Sequence, residues 1–320
     1  MSYQPAVNYT GASGLREQAA TYYDRRGLDK LYQIFQFVQA CEPRPLPRSS
    51  GRTIQWYRFS QPAANTTPVT DGVVGTPIPL DSRTVSSTVE EYNDFTDSST
   101  LLEDTDIAPF VENMVDFMSY RAALTNDTLA RIELDSATST QVDPVGAFAS
   151  VADLRANISR LKALNVMPWR GSDWLTIVHP YHEYDITSDN TAGGFIDISK
   201  YAQPQALLNN EIGKVSGSRV VSTTNVGTSG SAPATKYNMY IFGYESCLAV
   251  DLSGSGPSNV TDPKNQRFQT FVSKGGPSAI DPAGTIGTYV AYRFVTAYKV
   301  PYTSNTQYRF RTVPTDVQLV

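Results

Sequence analysis

The sequence predicts an α+β protein, with helices concentrated early and strands late. Three observations carry that prediction. Apolar residues recur at three- and four-residue steps over 20–40 and again over 104–135. From Trp174 onward, β-branched and aromatic runs alternate with clusters of Gly, Ser, Thr, Asn and Pro. Between them, residues 60–81 are too rich in breakers for a helix and too long for a hairpin turn. At 320 residues, 40% hydrophobic and 18% charged, the chain can bury a sizeable core in one large or two intimately packed domains.

In the first helix, Leu28, Leu31, Ile34, Phe35 and Val38 form the stripe, and Pro43, Pro45 and Pro47 forbid its continuation. The proline strip is expected to be extended and to lead into a strand, Arg52 to Phe59, with a second strand at Arg83 to Tyr92 carrying Val85, Ser87 and Val89 on one face. The stretch between these strands holds Pro62, Pro68, Pro77, Pro79, Gly72 and Gly75. Long structureless segments are uncommon inside a compact domain, so it reads as an arm projecting from the body.

Asp104 to Asp135 is the strongest helical signal, with Ile107, Phe110, Val111, Met114, Val115, Met118, Ala122, Leu129 and Ile132 in one stripe, Asp106 as N-cap and Pro109 in the first turn. At about 1.5 Å per residue it spans about 40 Å, the length of a spine. A helix at Val151 to Leu164 follows, then strands at Trp174 to Val178, Gly217 to Thr224, Tyr237 to Leu252, Thr288 to Val300 and Tyr308 to Val313. The run from Tyr289 to Tyr298 is apolar on both faces and is expected to be a central, buried strand. Gly227 to Ala234 and Ser253 to Pro263 read as surface loops, and no repeat of solenoid or propeller period occurs.

The N-terminus, MSYQPAVNYTGASG, has neither the basic nor the apolar region of a signal peptide, and no apolar run approaches the roughly 18 residues of a membrane span, so a soluble protein made in the cytosol is expected. Cys41 and Cys247 are the only cysteines, which excludes a disulfide framework and a thiolate metal cluster within one chain. The formal net charge of -5 argues against a dedicated nucleic-acid binder. That charge is uneven. Residues 1–60 hold eight basic against four acidic residues, Arg25 and Arg26 among them, whereas 81–135 hold three basic against thirteen acidic. Two such patches could attract one another between copies, or could be ordinary solvated faces.

Chemical motifs are scarce. His179 and His182 are the only histidines and could clip a metal with Asp185 on a helix, but Pro180 and the preceding strand argue against a helix there, so no metal site is expected. No Gly-x-Ser-x-Gly elbow occurs, and nothing beyond coexistence couples Cys41 to either histidine. Gly213-Lys214 lacks the upstream glycine of a phosphate loop, and Gly254-Ser-Gly256 has Asn259 where a dinucleotide fingerprint needs a third glycine. The carboxylate pairs Glu90 with Glu91 and Asp104 with Asp106 read as a charged strand face and a helix cap. No catalytic residue, cofactor or metal ligand is expected. The 19 tyrosines suit interfaces, where the ring is buried and the hydroxyl stays paired, and suit a sheet core equally.

The order of arm, extended strip, long hairpin, spine helix and mixed domain ending in sheet resembles the major capsid fold of tailed phages and herpesviruses. Individual segments resemble the capsid family of phages related to coliphage N-four. These are Pro45-Leu-Pro47 with Gly51-Arg-Thr-Ile54 leading into the arm, Val85, Thr88, Val89 and Tyr92 on its return strand, Val178-His179-Pro180 at a strand end, the stretch Glu211 to Val221, and Asp281 to Gly287 before the last long strand. The matches run from about residue 20 to 312.

The resemblance implies an N-terminal arm over 1–50, an extended hairpin over 51–95, a peripheral domain over 96–144 with 286–320, and an axial domain over 145–285. It further implies a non-enzymatic subunit that assembles with itself into pentamers and hexamers of an icosahedral shell, located in the virion and made in the cytoplasm of a bacterial host. Packaged DNA would face the inner wall without sequence specificity. A separate scaffolding protein and a portal are implied as partners, with a cement protein left open. No lysine lies between Lys30 and Lys162, so no lysine-borne cross-link from the arm is expected. Contacts between subunits are expected from Trp56, Tyr57, Arg58, Phe59, Arg25 and Arg26. Two alternatives stay open: another virion β-protein of a tail or decoration, and a hydrolase built on carboxylates.

Overall fold

The computed structural model describes residues 36–46, 51–59, 63–68, 71–72, 74–75, 77–105, 110–136, 141–142, 149–188, 211–229, 236–252, 268–274, 283, 285–301 and 307–312. Along the chain these form α1 (Phe37–Ala40), β1 (Glu42–Leu46), β2 (Thr53–Phe59), β3 (Ser82–Thr88), β4 (Glu90–Ser99), α2 (Thr100–Thr105), α3 (Phe110–Ser136), β5 (Gln141–Val142), α4 (Val151–Ala163), β6 (Trp174–Val178) and α5 (Pro180–Ser188). There follow β7 (Glu211–Val215), β8 (Ser218–Ser222), β9 (Thr228–Ser229), β10 (Lys236–Phe242), β11 (Leu248–Leu252), β12 (Phe268–Lys274), β13 (Ile286–Lys299) and β14 (Gln307–Thr312). The α+β class is as expected.

Three sheets result. The first is built on β13, the strand expected to be central: β11 and β12 pair with successive parts of it and β4 pairs along most of its length, while parallel β1 flanks β11. The second has the order β5-β14-β10-β6-β8-β7, with β9 also on β10. The third is the hairpin of β2 and β3 alone.

The proline strip is more than extended. Glu42 N–H donates to the Cys247 carbonyl at 2.8 Å, and since N–H groups alternate sides along a strand, Arg44 and Leu46 also face β11 while Pro43 and Pro45 face outward. The outer edge of the sheet is therefore the one place where two prolines forfeit no ladder bond. Residues 237–252, read from sequence as one strand, are two strands in different sheets. The break falls at Gly243, where a Cβ would lie 2.5 Å from Val166 Cγ1 and 3.0 Å from the Met167 carbonyl. The return strand also divides. Val89, buried against Leu46 and Val250, ends the hairpin and starts β4, which runs on to Ser99.

The spine helix α3 covers 27 residues, with α2 preceding it; the expected cap Asp106 and first-turn Pro109 lie outside the described residues. Met114, Val115, Met118 and Ala122 are buried as predicted, but Ile132 is exposed, and the helix buries Ser119, Asn126 and Asp127 besides Ala123, Ala130 and Leu134. Most of the helix predicted over 20–40 lies outside the described residues, leaving α1.

Four polar residues of α3, Asn126, Asp127, Glu133 and Asp135, have defined partners across the core. Asp127 Oδ1 accepts the N–H groups of Gln36, Phe37 and Val38 at 3.0, 2.8 and 3.3 Å, and its Oδ2 accepts from Asn225 Nδ2 at 3.0 Å. Asn126 Oδ1 accepts the Tyr298 hydroxyl at 2.7 Å, and Glu133 pairs with Lys299 at 2.9 Å, both on or beside β13. Asp135 accepts the Tyr240 hydroxyl at 2.8 Å, on β10 of the other sheet.

Burial pushes the Asp127 carboxyl up to about 6 despite those four donors. Its folded value lies above its unfolded one, so the stability it contributes is fully present below about pH 4 and is lost as pH rises through about 6, roughly 3 kcal/mol across the window. Urea unfolding at pH 4.5 and 7.5 should show this loss. Asp127→Asn, which keeps the acceptor but does not titrate, should remove the Asp127 share of it, and Asp127→Ala, which strands three buried N–H groups, should cost on the order of 3 kcal/mol at pH 4.5 and less at pH 7.5, where the wild-type chain has already lost the Asp127 share.

Candidate functional site

The expectation of no helix after Val178 is overturned: α5 runs Pro180–Ser188, with proline at the first helical position, where its missing N–H is no loss. His182 is thereby buried, its Nδ1 accepting the His179 N–H at 3.4 Å, and burial, with His179 nearby, holds it down to about 3, so it is neutral. The His179 ring stacks on Tyr237 with centroids 4.0 Å apart. No group of three or more His, Cys, Asp or Glu side chains placed to hold a metal occurs among the described residues. Cys41 and Cys247 are both buried.

Many of the acids over 81–135 are engaged within the chain. Asp94 pairs with Arg121 at 2.6 Å and Glu91 with Arg293 at 2.9 Å, in addition to Asp127, Glu133 and Asp135. The charge contrast seen in the sequence thus overstates what this region offers a partner, because formal counting cannot tell a buried clamp from a solvated face.

What the molecule does present is exposed apolar surface. On the hairpin, the two faces of β2 and β3 differ. Ile54 and Trp56 turn toward Leu46, Val89 and Val250, opposite Ser87 and Val85, whereas Tyr57 and Phe59 on the other face are 66% and 58% exposed. Trp56 therefore anchors the hairpin to its own body, and Tyr57 and Phe59 face away from it. The Arg58 side chain, and Arg25 and Arg26 entirely, lie outside the described residues.

Beyond the hairpin, the described parts of 60–81 carry no helix or strand and expose Val74, Ile78 and Leu80. The outer face of the first sheet carries a row in which Phe95 and Phe271 flank Ala291, both phenylalanines exposed. The outer face of α3 shows Phe117, Tyr120 and Leu124 at helical spacing. Sequence reasoning missed the last two. The available signal was a phenylalanine between two aspartates, Asp94-Phe95-Thr96-Asp97, on the polar phase of a strand, and aromatic residues outside the apolar stripe of α3.

No protein-family sequence model matches the chain, and no curated protein matches its sequence. Solved structures do match. The capsid of Ralstonia phage GP4 aligns with a TM-score of 0.65 at 11% identity, over 89% of this chain and 90% of that one. The capsid of cyanophage P-SCSP1u aligns at 0.61 and 11% identity, over 88% and 89%. The fold is that of phage capsid subunits.

This phage capsid fold is the one expected from the order of arm, hairpin and spine helix, and it reaches past phages. A virus-like particle protein of Pyrococcus furiosus aligns at 0.52 and 8% identity, over 89% of this chain and 96% of its own. At such identities the likeness is one of backbone architecture.

The division of the hairpin into an anchored and a free face is testable by stability alone. Trp56→Ala should destabilise by about 1–3 kcal/mol in urea unfolding, while Tyr57→Ala and Phe59→Ala should each stay within about 0.5 kcal/mol. Equal losses at all three positions would contradict it.

Proposed function

We propose that this chain is a major capsid protein, a structural and non-enzymatic subunit that assembles with itself into pentamers and hexamers and so builds an icosahedral shell around a phage genome. The observation that carries the reading is the capsid fold shared over nearly nine-tenths of both chains. It sets this reading above a tail or decoration component and above a hydrolase. The exposed apolar residues of the hairpin and of α3 supply what such a role needs, since identical copies must bury surface on one another repeatedly until the shell closes.

Within this reading, 1–50 form an arm, 51–95 the extended hairpin, 96–144 with 286–320 the peripheral domain, and 145–285 the axial domain. Tyr57 and Phe59 make the arm's contacts with the adjacent subunit, helped by Arg58, Arg25 and Arg26, while Trp56 holds the hairpin in position for them. The net charge of -5 suits a wall facing packed DNA without clamping it by counterion release. A separate scaffolding protein and a portal complete the assembly in the bacterial cytoplasm, the finished protein residing in the virion.

Electron microscopy of the purified full-length chain, with and without its scaffolding protein, tests this. Closed shells or capsomer-sized rings are expected, and Tyr57→Ala with Phe59→Ala should reduce their yield at least tenfold while the chain stays folded. A stable monomer under every condition would overturn the proposal.

A further inference from the structure

The far end of the hairpin and a cleft on the body are complementary surfaces that a single chain leaves open. Residues Pro77, Ile78, Pro79 and Leu80 lie in no helix or strand, with Ile78 and Leu80 64% and 74% exposed. Two prolines in four residues fix φ near the polyproline value, so the segment loses little conformational freedom on docking.

The cleft lies beside β1 and has a volume of about 580 Å³. Cys41, Pro43, Met167, Trp169, Arg170 and Tyr244 contribute to its lining. Its walls are fixed from behind. Trp169 Nε1 donates to the Ala40 carbonyl at 3.2 Å, the Tyr244 N–H donates to the Met167 carbonyl at 2.9 Å, and the Arg170 guanidinium sits 4.2 Å above the Trp169 ring. Yet Met167 is 68% and Tyr244 44% exposed, so two large side chains of a prepared, mixed polar and apolar cleft face solvent.

The chemistry selects the occupant. Pro43 and Pro45 offer no N–H along the outer edge of β1, so an added β-strand would find a broken ladder there. Aromatic and proline walls instead suit an extended proline-bearing segment, the mode by which such grooves hold polyproline helices. Four residues at about 3.1 Å each span roughly 12 Å, and the cleft falls in the roughly 300–1,000 Å³ range of sites that enclose a small ligand. Asp81 directly follows the segment and residues 60–81 hold no Lys or Arg, so within the lining, which carries both Glu42 and Arg170, Arg170 is the side an acidic flank would take. Because the segment and the cleft are open together in one chain, the segment does not occupy its own cleft.

We propose that the Pro77–Leu80 segment of one copy docks in the Met167–Trp169–Tyr244 cleft of the next. The inference rests on the capsid reading and adds to it where the end of the arm lands. The contact is head-to-tail, and repeated around an axis it closes a ring.

The full-length chain carrying Ile78→Cys and Met167→Cys, with Cys41→Ala and Cys247→Ala to remove the native thiols from this and every control variant, is assembled under reducing conditions and then oxidised. The expected result is a ladder of covalent multimers on a non-reducing denaturing gel, absent from each single-cysteine variant. Assembled particles that yield only monomer, both for this pair and for Leu80→Cys with Tyr244→Cys, overturn the docking and leave the capsid reading standing. Should neither pair assemble where the unmodified chain does, a synthetic peptide of residues 74–82 decides. At millimolar concentration it should lower the assembly yield of the unmodified chain several-fold, its Ile78→Asp, Leu80→Asp form should not, and equal yields overturn the docking. An unmodified chain that never leaves the monomer overturns both.

Discussion

The long helix α3 lies against strands of two separate hydrogen-bonded sheets, and the polar groups on its buried face hold those sheets in one relation. Asn126 and Glu133 reach Tyr298 and Lys299 at the end of β13, Asp135 reaches Tyr240 on β10, and Asp127 gathers three N–H groups at the start of α1 together with Asn225 beside β8. An apolar stripe alone would let the helix rotate or slide at modest cost, whereas a buried carboxylate with four donors is satisfied in one placement only. The cost is that Asp127 is desolvated, which is why its carboxyl is shifted up to about 6.

From that fixed body the remaining architecture follows. With β13 flanked by β4 on one side and β11 and β12 on the other, β4 can run back past Val89 into the hairpin, and Trp56 and Ile54 set the angle at which the hairpin leaves. The core is filled from the inner faces of the sheets and one side of α3. Phe95, Phe271, Phe117, Tyr120, Tyr57 and Phe59 are what the single chain has no interior left to cover. On the capsid reading proposed above these are the residues that would act, while the buried acids Asp127 and Asp135 serve as clamps within the fold.

Much of this was legible in the sequence because it depends on local periodicity. The stripe from Met114 to Ala122, the apolar run Tyr289–Tyr298 and the breaker-rich stretch after Phe59 report a helix, a central strand and a segment whose described parts hold neither, without reference to anything distant. What was hidden depends on partners far along the chain. Pro180 reads as a helix breaker until its place at the first turn of α5 is known. The split of 237–252 turns on Val166 and Met167, some seventy residues upstream, crowding Gly243. The thirteen acids of 81–135 look like one surface patch because sequence cannot show that Asp127 is buried or that Asp94 and Glu91 have arginine partners. Trp56 likewise appears equivalent to Tyr57 and Phe59 until the alternation of β2 sends it to the opposite face.

The claim at the centre of this account is that the exposed faces of the hairpin and its far end exist to be covered by other copies. Hydrogen–deuterium exchange measured on the free chain and on the assembled particle addresses it directly. Residues 53–59 and 77–88 should gain at least tenfold protection on assembly, with little change in β6, β10 and β13, which are already enclosed. Assembled particles in which 53–59 and 77–88 exchange as fast as in the free chain would contradict it.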